Sequence, residues 1–392
     1  MITVHDTAAV ARRELRAILN DRWTRAALFV VPLIVGLLLA LTYRGQIVRA
    51  IPTMVVDHDG TPLALAFRRT LAANESLSVL RTTETTGDVE GELRRGDIQC
   101  VVEIPAGFEA EVKQGKSGRV LASVNGTNVV IANYALRGLQ TVAASFAAGI
   151  GIQKLEKKSP GAAHALQSYS PVTISSRLLY NPAQNYADFF IPGILAALLQ
   201  QIVVVGAALT WVREFQTGAI RDLLATSGSL ASIIAGKTLV YVTIGWAWAL
   251  VYFAGLFTLT DVPFQGSPFA GALAVTLMLA GMTMFAMVIS SLVGKTESAM
   301  PVVFVISSPA FLLSGYTFPQ MAMSPVARTI GNLIPLTPFL IAWRRVVLYG
   351  AGIADILPQM LVMSAMVLVP LAVMVLIIRR KLAGVAAGGA GL

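Results

Sequence analysis

Charge is scarce in this sequence. Asp, Glu, Lys and Arg make up 13% of its 392 residues, 55% are hydrophobic and mean hydropathy is +0.70. A soluble globular domain carries about 25% charged residues, so membrane insertion is the first expectation. Cysteine is scarcer. The single Cys100 cannot form an intrachain disulfide, and without a CxxC pair or a Cys/His cluster no metal centre is expected. The three histidines, His5, His58 and His164, lie far apart in the chain. Enzyme signatures are missing as well. ASIIAGKT at Ala231 to Thr238 approaches the G-x-x-x-x-G-K-[ST] phosphate loop, but Ala231 replaces the first glycine and the string opens an apolar run instead of following a strand. No catalytic residues are therefore assigned.

What is present is basic. The net charge of +9 and pI of about 9.8 are explained by basic residues at span ends, which report topology and attraction to anionic lipid, so no nucleic-acid partner is implied. From Val10 to Arg25, apolar Val10, Leu15, Ile18, Leu19 and Trp23 interleave with Arg12, Arg13, Arg16 and Arg22, a pattern that predicts a helix lying on the membrane surface over residues 1–25. The apolar run at 26–43 holds Pro32 and no charge. A secretory signal is the rival reading, but its apolar core is about 7–15 residues, and this run is longer. It is expected to span the membrane.

Over residues 44–185 the charges return and β-rich strings alternate with helical ones, which predicts an inserted α/β domain. Strands are expected at Thr53 to Asp57, Leu77 to Arg81, Ile98 to Ile104 and Arg119 to Val124, and helices at Thr61 to Asn74, Asp88 to Arg95, Phe108 to Gln114 and Ala132 to Lys158. Small residues in the last helix, such as Ala143 and Ala147, permit close packing on a partner helix or burial within the domain. Asp57-His58-Asp59-Gly60 reads as a turn leading into a helix.

Residues 186–392 are mostly apolar. Spans are expected at Phe190 to Val212, Thr238 to Leu259, Phe269 to Val293 and Ala299 to Tyr316, with a sixth ending at Arg379-Arg380-Lys381. Pro301 and Pro309 predict kinks in the fifth. The connection 211–237, WVREFQTGAIRDLLATSGSLASIIAGK, holds Arg213, Glu214, Arg221 and Asp222 beside Ile220, Leu223 and Leu224, which suits either a solvated loop or a short helix docking on another protein. Gln200 and Gln201 at mid-span must face a helix neighbour or a polar cavity. Tyr186, Ser307 and Ser308 join them as candidates for a pathway or a helix interface. Residues 314–345 are broken by Pro319, Pro325, Pro335 and Pro338, too interrupted for one span. A re-entrant pair of short helices is expected there, buried in protein or lining a wet cavity. Arg344 and Arg345 suit either lipid headgroups or a substrate.

Several of these strings resemble type-2 ABC exporter permeases. YNPAQNYADFFIPGI at Tyr180 to Ile194 resembles the start of that family's second span. SGYTFP, with Gly315, Phe318 and Pro319, and PLTPF, with Pro335 and Pro338, resemble its re-entrant hairpin. VVDHDGTPLA, IPAGF and VNGTN resemble its external domain. Arg213-Glu214, Gly218, Leu223-Leu224 and Gly236-Lys237 resemble the loop that couples to the ATPase, although Thr217 precedes Gly218 and Ser227 stands where a proline is usual.

Arg213, Glu214, Gly218, Arg221, Leu223 and Leu224 are accordingly the expected ATPase-coupling residues, with Glu214 placed at a docking helix's N-terminus. The resemblance implies a mainly α membrane protein of six spans with an interfacial N-terminal helix, a re-entrant hairpin and an external α/β domain. It further implies export of an amphiphilic small molecule, drug or lipid. ATP and Mg belong to a partner ABC ATPase present in two copies, and a second permease half completes a homodimer or heterodimer. A periplasmic adaptor and outer-membrane channel are further expected partners, beside membrane lipids. The basic clusters place both termini in the cytoplasm of a bacterial inner membrane. The rival class is a membrane receptor or scaffold whose external domain binds a ligand.

Overall fold

The computed structural model describes residues 3–43, 49–85, 91–93, 96–127, 129–156, 181, 185–227, 229–293 and 296–388. They fall into two units, Met1–Gln46 with Leu178–Leu392, and Ile47–Arg177. The inserted unit lies inside the 44–185 stretch where the composition changes.

In the first helix, α1 (Val4–Asn20), the buried positions are Val10, Glu14 and Ile18, one stripe repeating every fourth residue. Asp21 ends it and starts the next helix, accepting from the Trp23 N–H at 3.0 Å. That helix, α2 (Arg22–Thr42), is long and apolar enough to cross a membrane. Pro32 has no N–H to offer the carbonyl of Leu28. The helix widens to π geometry over Ala26–Val30, and the Trp248 indole N–H donates to that carbonyl at 2.8 Å.

The inserted unit runs β1 (Ile51–Asp57), α3 (Pro62–Ala72), β2 (Leu77–Thr83), β3 (Cys100–Ile104), α4 (Phe108–Lys113), β4 (Leu121–Val124) and α5 (Val129–Glu156). The sheet order is β2-β1-β3-β4. β1 pairs parallel with β2 and β3, and β4 runs antiparallel to β3. Val55, Cys100, Val102 and Ile104 pack on Phe67, Leu71 and Phe108, while Met54, Val56 and Val101 form a second cluster with Ile98. β1 and β3 are thus apolar on both faces, which is why their strings read as continuous runs. Of the helix expected at Asp88 to Arg95, residues 91–93 are helical and the rest lies outside the described residues.

Asp57 to Gly60 forms a turn. Asp57 Oδ1 accepts from the backbone N–H groups of Asp59 and Gly60 at 3.1 and 3.0 Å. Asp59 reaches across to cap α4, accepting from the N–H of Gly107 at 2.8 Å and of Glu109 at 3.2 Å.

The other unit continues with α6 (Tyr186–Gln216), α7 (Ala219–Ser227), α8 (Leu230–Leu259), α9 (Pro268–Val293), α10 (Thr296–Ser307), α11 (Ala310–Leu313), α12 (Pro325–Asn332), α13 (Leu336–Tyr349) and α14 (Ile353–Gly388). Among the described residues α2, α6, α8, α9 and α14 are long and apolar enough to span a bilayer. The expected fifth span is shorter than the sequence suggested. Its apolar helical stretch is Pro301–Leu313, about 20 Å at 1.5 Å per residue against roughly 30 Å of hydrocarbon. α10 and α11 are separated at Ser308-Pro309, where proline lacks an N–H for the helix ladder. α12 and α13 meet at 82° and count as a sixth crossing only if the bent pair is taken as one.

Candidate coupling site at the junction of α1 and α6 to α8

The 211–237 connection is almost entirely helical. α6 continues to Gln216, and the chain turns at Gly218, whose φ of 72° is left-handed backbone that favours glycine. α7 follows, and the Ser229 side chain caps α8 by accepting from Ser232 N–H at 3.4 Å. Ile220 and Leu223 of α7 are buried against this chain's own core, and Leu224 is half-buried. The narrow apolar face that suggested docking is therefore already occupied. Arg221, Asp222 and Thr226 form the exposed face.

Glu214 is also placed differently from expectation. It lies in the last turn of α6, where the helix dipole disfavours a carboxylate. Compensation comes from Lys237 of α8, whose Nζ is 3.2 Å from Glu214 Oε1, and from Arg13 of α1, 3.8 Å from Oε2. Lys237 also forms an ion pair with Glu14 of α1, and both side chains are almost wholly buried, at 1% and 3% exposure. Tyr241 donates to the other Glu14 oxygen at 2.8 Å and shares a hydrogen bond with Thr210. Burial pushes the Glu14 carboxyl up, but Lys237 outweighs it and holds the group below the usual carboxylate range.

Gly236 lets α1 come this close. A Cβ there would lie 2.7 Å from the Thr7 carbonyl oxygen. The Gly-Lys pair of the near phosphate loop thus seats one helix and neutralises a carboxylate. Its lysine is not presented to a nucleotide. Beside Glu214, Arg213 forms an ion pair with Asp21 at 2.6 Å, a bond that holds the Asp21 carboxyl down at about 2.

The two strings singled out at the other end of the bundle meet each other. Asn185 Oδ1 caps α6 by accepting from Ala187 N–H at 2.9 Å, and Asn181 binds the Asn185 backbone at 2.8 and 2.9 Å. The motif asparagine therefore shapes the start of the helix. Gly193 forms a flat seat for Tyr316, since a Cβ would sit 2.2 Å from its ring. The Tyr316 hydroxyl donates to the Phe189 carbonyl at 2.5 Å, with the two rings stacked at 5.1 Å. Arg344 lies over Tyr316, 4.3 Å from the ring centroid, and Arg345 donates to the Asp355 carbonyl at 2.9 Å. Both arginines expected at lipid or substrate thus make internal contacts.

Gly315 turns at φ 82°, Pro335 starts α13, Pro338 is buried and Phe318 is exposed. Tyr186 stacks on Phe190 at 5.3 Å. Gln200 Nε2 donates to the Ser307 carbonyl at 2.9 Å, so these two candidates are neighbours, whereas Ser308 is exposed. Among the described residues Gln200 Oε1, Gln201 Oε1 and Ser307 Oγ are buried without a hydrogen-bond partner.

Glu14, Lys237, Tyr241 and Arg344 were missed as site members or assigned elsewhere. A usable signal existed for Glu14, which falls in phase with Val10 and Ile18 on an otherwise apolar stripe.

Five bilayer-length helices and a bent helix pair mark a multi-pass membrane protein, with a short amphipathic helix pinned beside a buried ion cluster. The sequence profile of the ABC-2 family transporter proteins matches residues 22–376, and the chain belongs to that family. Its relatives include the probable multidrug ABC transporter permease YbhR of Escherichia coli K12, 23% identical over 355 residues covering 89% of this chain and 91% of the relative. The probable multidrug permease YbhS of the same strain is 26% identical over 211 residues, 53% of this chain and 54% of its own length. The inner membrane transport permease YhhJ, also of that strain, is 23% identical over 373 residues, 90% and 91% of the two chains.

Proposed function

We propose that this chain is the membrane half of an ATP-driven exporter, with ATP and Mg bound and hydrolysed by a separate ATPase subunit. The observation that carries the reading is α7. Its apolar side is tied down by Ile220 and Leu223, its polar side shows Arg221, Asp222 and Thr226 to solvent, and with His5, Asp6 and Arg13 of α1 it borders a groove of about 320 Å³. A pushed or pulled α7 moves α6 and α8 together through Glu214 and Lys237. Two ATPase copies and a second permease half complete the transporter, with the buried, unpartnered amide oxygens of Gln200 and Gln201 suited to the pathway or the contact between halves. An adaptor and outer-membrane channel are further partners.

The names of the relatives, multidrug permeases and an inner membrane transport permease, support a drug-like cargo and an inner-membrane location, and the basic clusters at the span ends support cytoplasmic termini. The test is co-expression with candidate ABC ATPases, co-purification, and flux from proteoliposomes. ATP-dependent flux that needs both chains is expected. A chain that binds a ligand but drives no flux with any ATPase it co-purifies with is a receptor instead. Protease cleavage near Gly115 from the outside of spheroplasts is expected too, and protection there would overturn the orientation.

A further inference from the structure

The inserted unit contains an open cleft of about 970 Å³ between α3, α4, the loop before β4, and α5, within the range of roughly 300–1,000 Å³ typical of small-molecule sites. Its wall is aromatic. Phe67 meets Phe146 edge-on at 5.0 Å, and Phe108 stacks against Phe146 at 6.3 Å. Ala143 and Ala147 on the exposed face of α5 leave the side open, and Val112 and Ile150 extend the apolar surface.

The rim is charged in a particular way. Lys116 and Arg119 line the cleft from the loop after α4. That loop is held close because Gly118 has no side chain, and a Cβ there would sit 2.7 Å from both the Phe108 ring and Val112. Among the described residues neither cation makes an ion pair or side-chain hydrogen bond. Glu103 is the only carboxylate on the lining, and His58 and Ser117 are its other polar side chains, so the rim is net positive beside an apolar trough.

We propose that this cleft binds a single-chain anionic amphiphile, its hydrocarbon along Phe67, Phe108 and Phe146 and its acid head between Lys116 and Arg119. Apolar burial supplies the affinity and the unpartnered cations select the sign of the head group. The site goes beyond the transport reading, since it needs neither ATPase nor export.

The test uses the full chain in phosphatidylcholine nanodiscs, without ATP or partners, labelled with a photoreactive palmitate and mapped by peptide mass spectrometry. Adducts are expected on residues 105–121 and 143–150. Filling the trough with Ala147→Trp, or reversing the rim with Lys116→Glu and Arg119→Glu, should each lower that labelling at least fivefold. All three positions are exposed, so unchanged melting temperatures check the fold. A trimethylammonium probe of equal chain length should label these segments weakly. Adducts found only elsewhere, or equal labelling by the two probes, would overturn the proposal. Neither outcome bears on ATP-dependent flux.

Discussion

Lys237 and Glu214 lie 3.2 Å apart where α8 passes the C-terminal end of α6, and the same ammonium holds Glu14 of α1. Three helices, the first of them 223 positions from Lys237 at Glu14, thus depend on one positive charge. The arrangement is a neutral set of Arg13, Glu14, Glu214 and Lys237, in which removing Lys237 strands the buried Glu14.

Lys237→Met should therefore be the most damaging single change at the junction. It leaves Glu14 buried with no ion-pair partner and Glu214 with Arg13 alone, 3.8 Å away, a loss of about 3–5 kcal/mol. Adding Glu14→Gln and Glu214→Gln removes the stranded charges and should recover much of it. Thermal unfolding in detergent reads both, and a triple variant no more stable than the single one would refute mutual pairing.

Exposed and buried faces of α7 should separate cleanly. Arg221→Glu with Asp222→Arg is expected to cut flux and partner-stimulated ATP hydrolysis about tenfold or more while melting temperature stays within a degree or two, as surface changes usually do. Glu214→Ala, by contrast, should lower both stability and flux. Normal flux in the α7 double variant would return that helix to a plain connection.

How much of this was legible differs by level. The strands and long spans were visible because β-branched strings such as Met54 to Val56 and uncharged runs such as residues 26–43 record burial locally. Gly218 and Asn181 were visible only as members of strings that resemble the family's, and their roles at a turn and a helix start came with the structure. The ion cluster was not, because Glu14 and Lys237 are 223 positions apart and each reads alone as a solvated charge. Prolines misled in one place. Pro301 and Pro309 were read as kinks in one span, whereas Pro309 separates α10 from α11 and the apolar stretch there, Pro301–Leu313, is shorter than the run the sequence suggested.

The Asp21–Arg213 pair gives a pH signature. Because the folded carboxyl is held at about 2 against its ordinary 3.8, its contribution is full above about 3.8 and is lost as pH falls toward 2. Asp21→Asn should melt lower than the parent at pH 7, and that gap should narrow in acid below pH 3.8. A gap that widens in acid would mean the pairing does not stabilise the fold.

Gly193 should accept no side chain. With Tyr316 already filling the space a Cβ would need, Gly193→Val should cost about 1–3 kcal/mol through overpacking. Tyr316→Phe loses only a hydrogen bond, about 0.5–1.5 kcal/mol. Equal effects in melting experiments would show that the seat is not tight.

Cys100 sits fully buried on β3, where burial raises its thiol to about 11. Near neutral pH it is protonated and shielded, so thiol reagents should pass it by. The natural chain is then in effect already a cysteine-free background. Spin labels, fluorophores or cross-linkers can be installed at α7, along the cleft or on either terminus by single substitutions, and every signal will come from the introduced position.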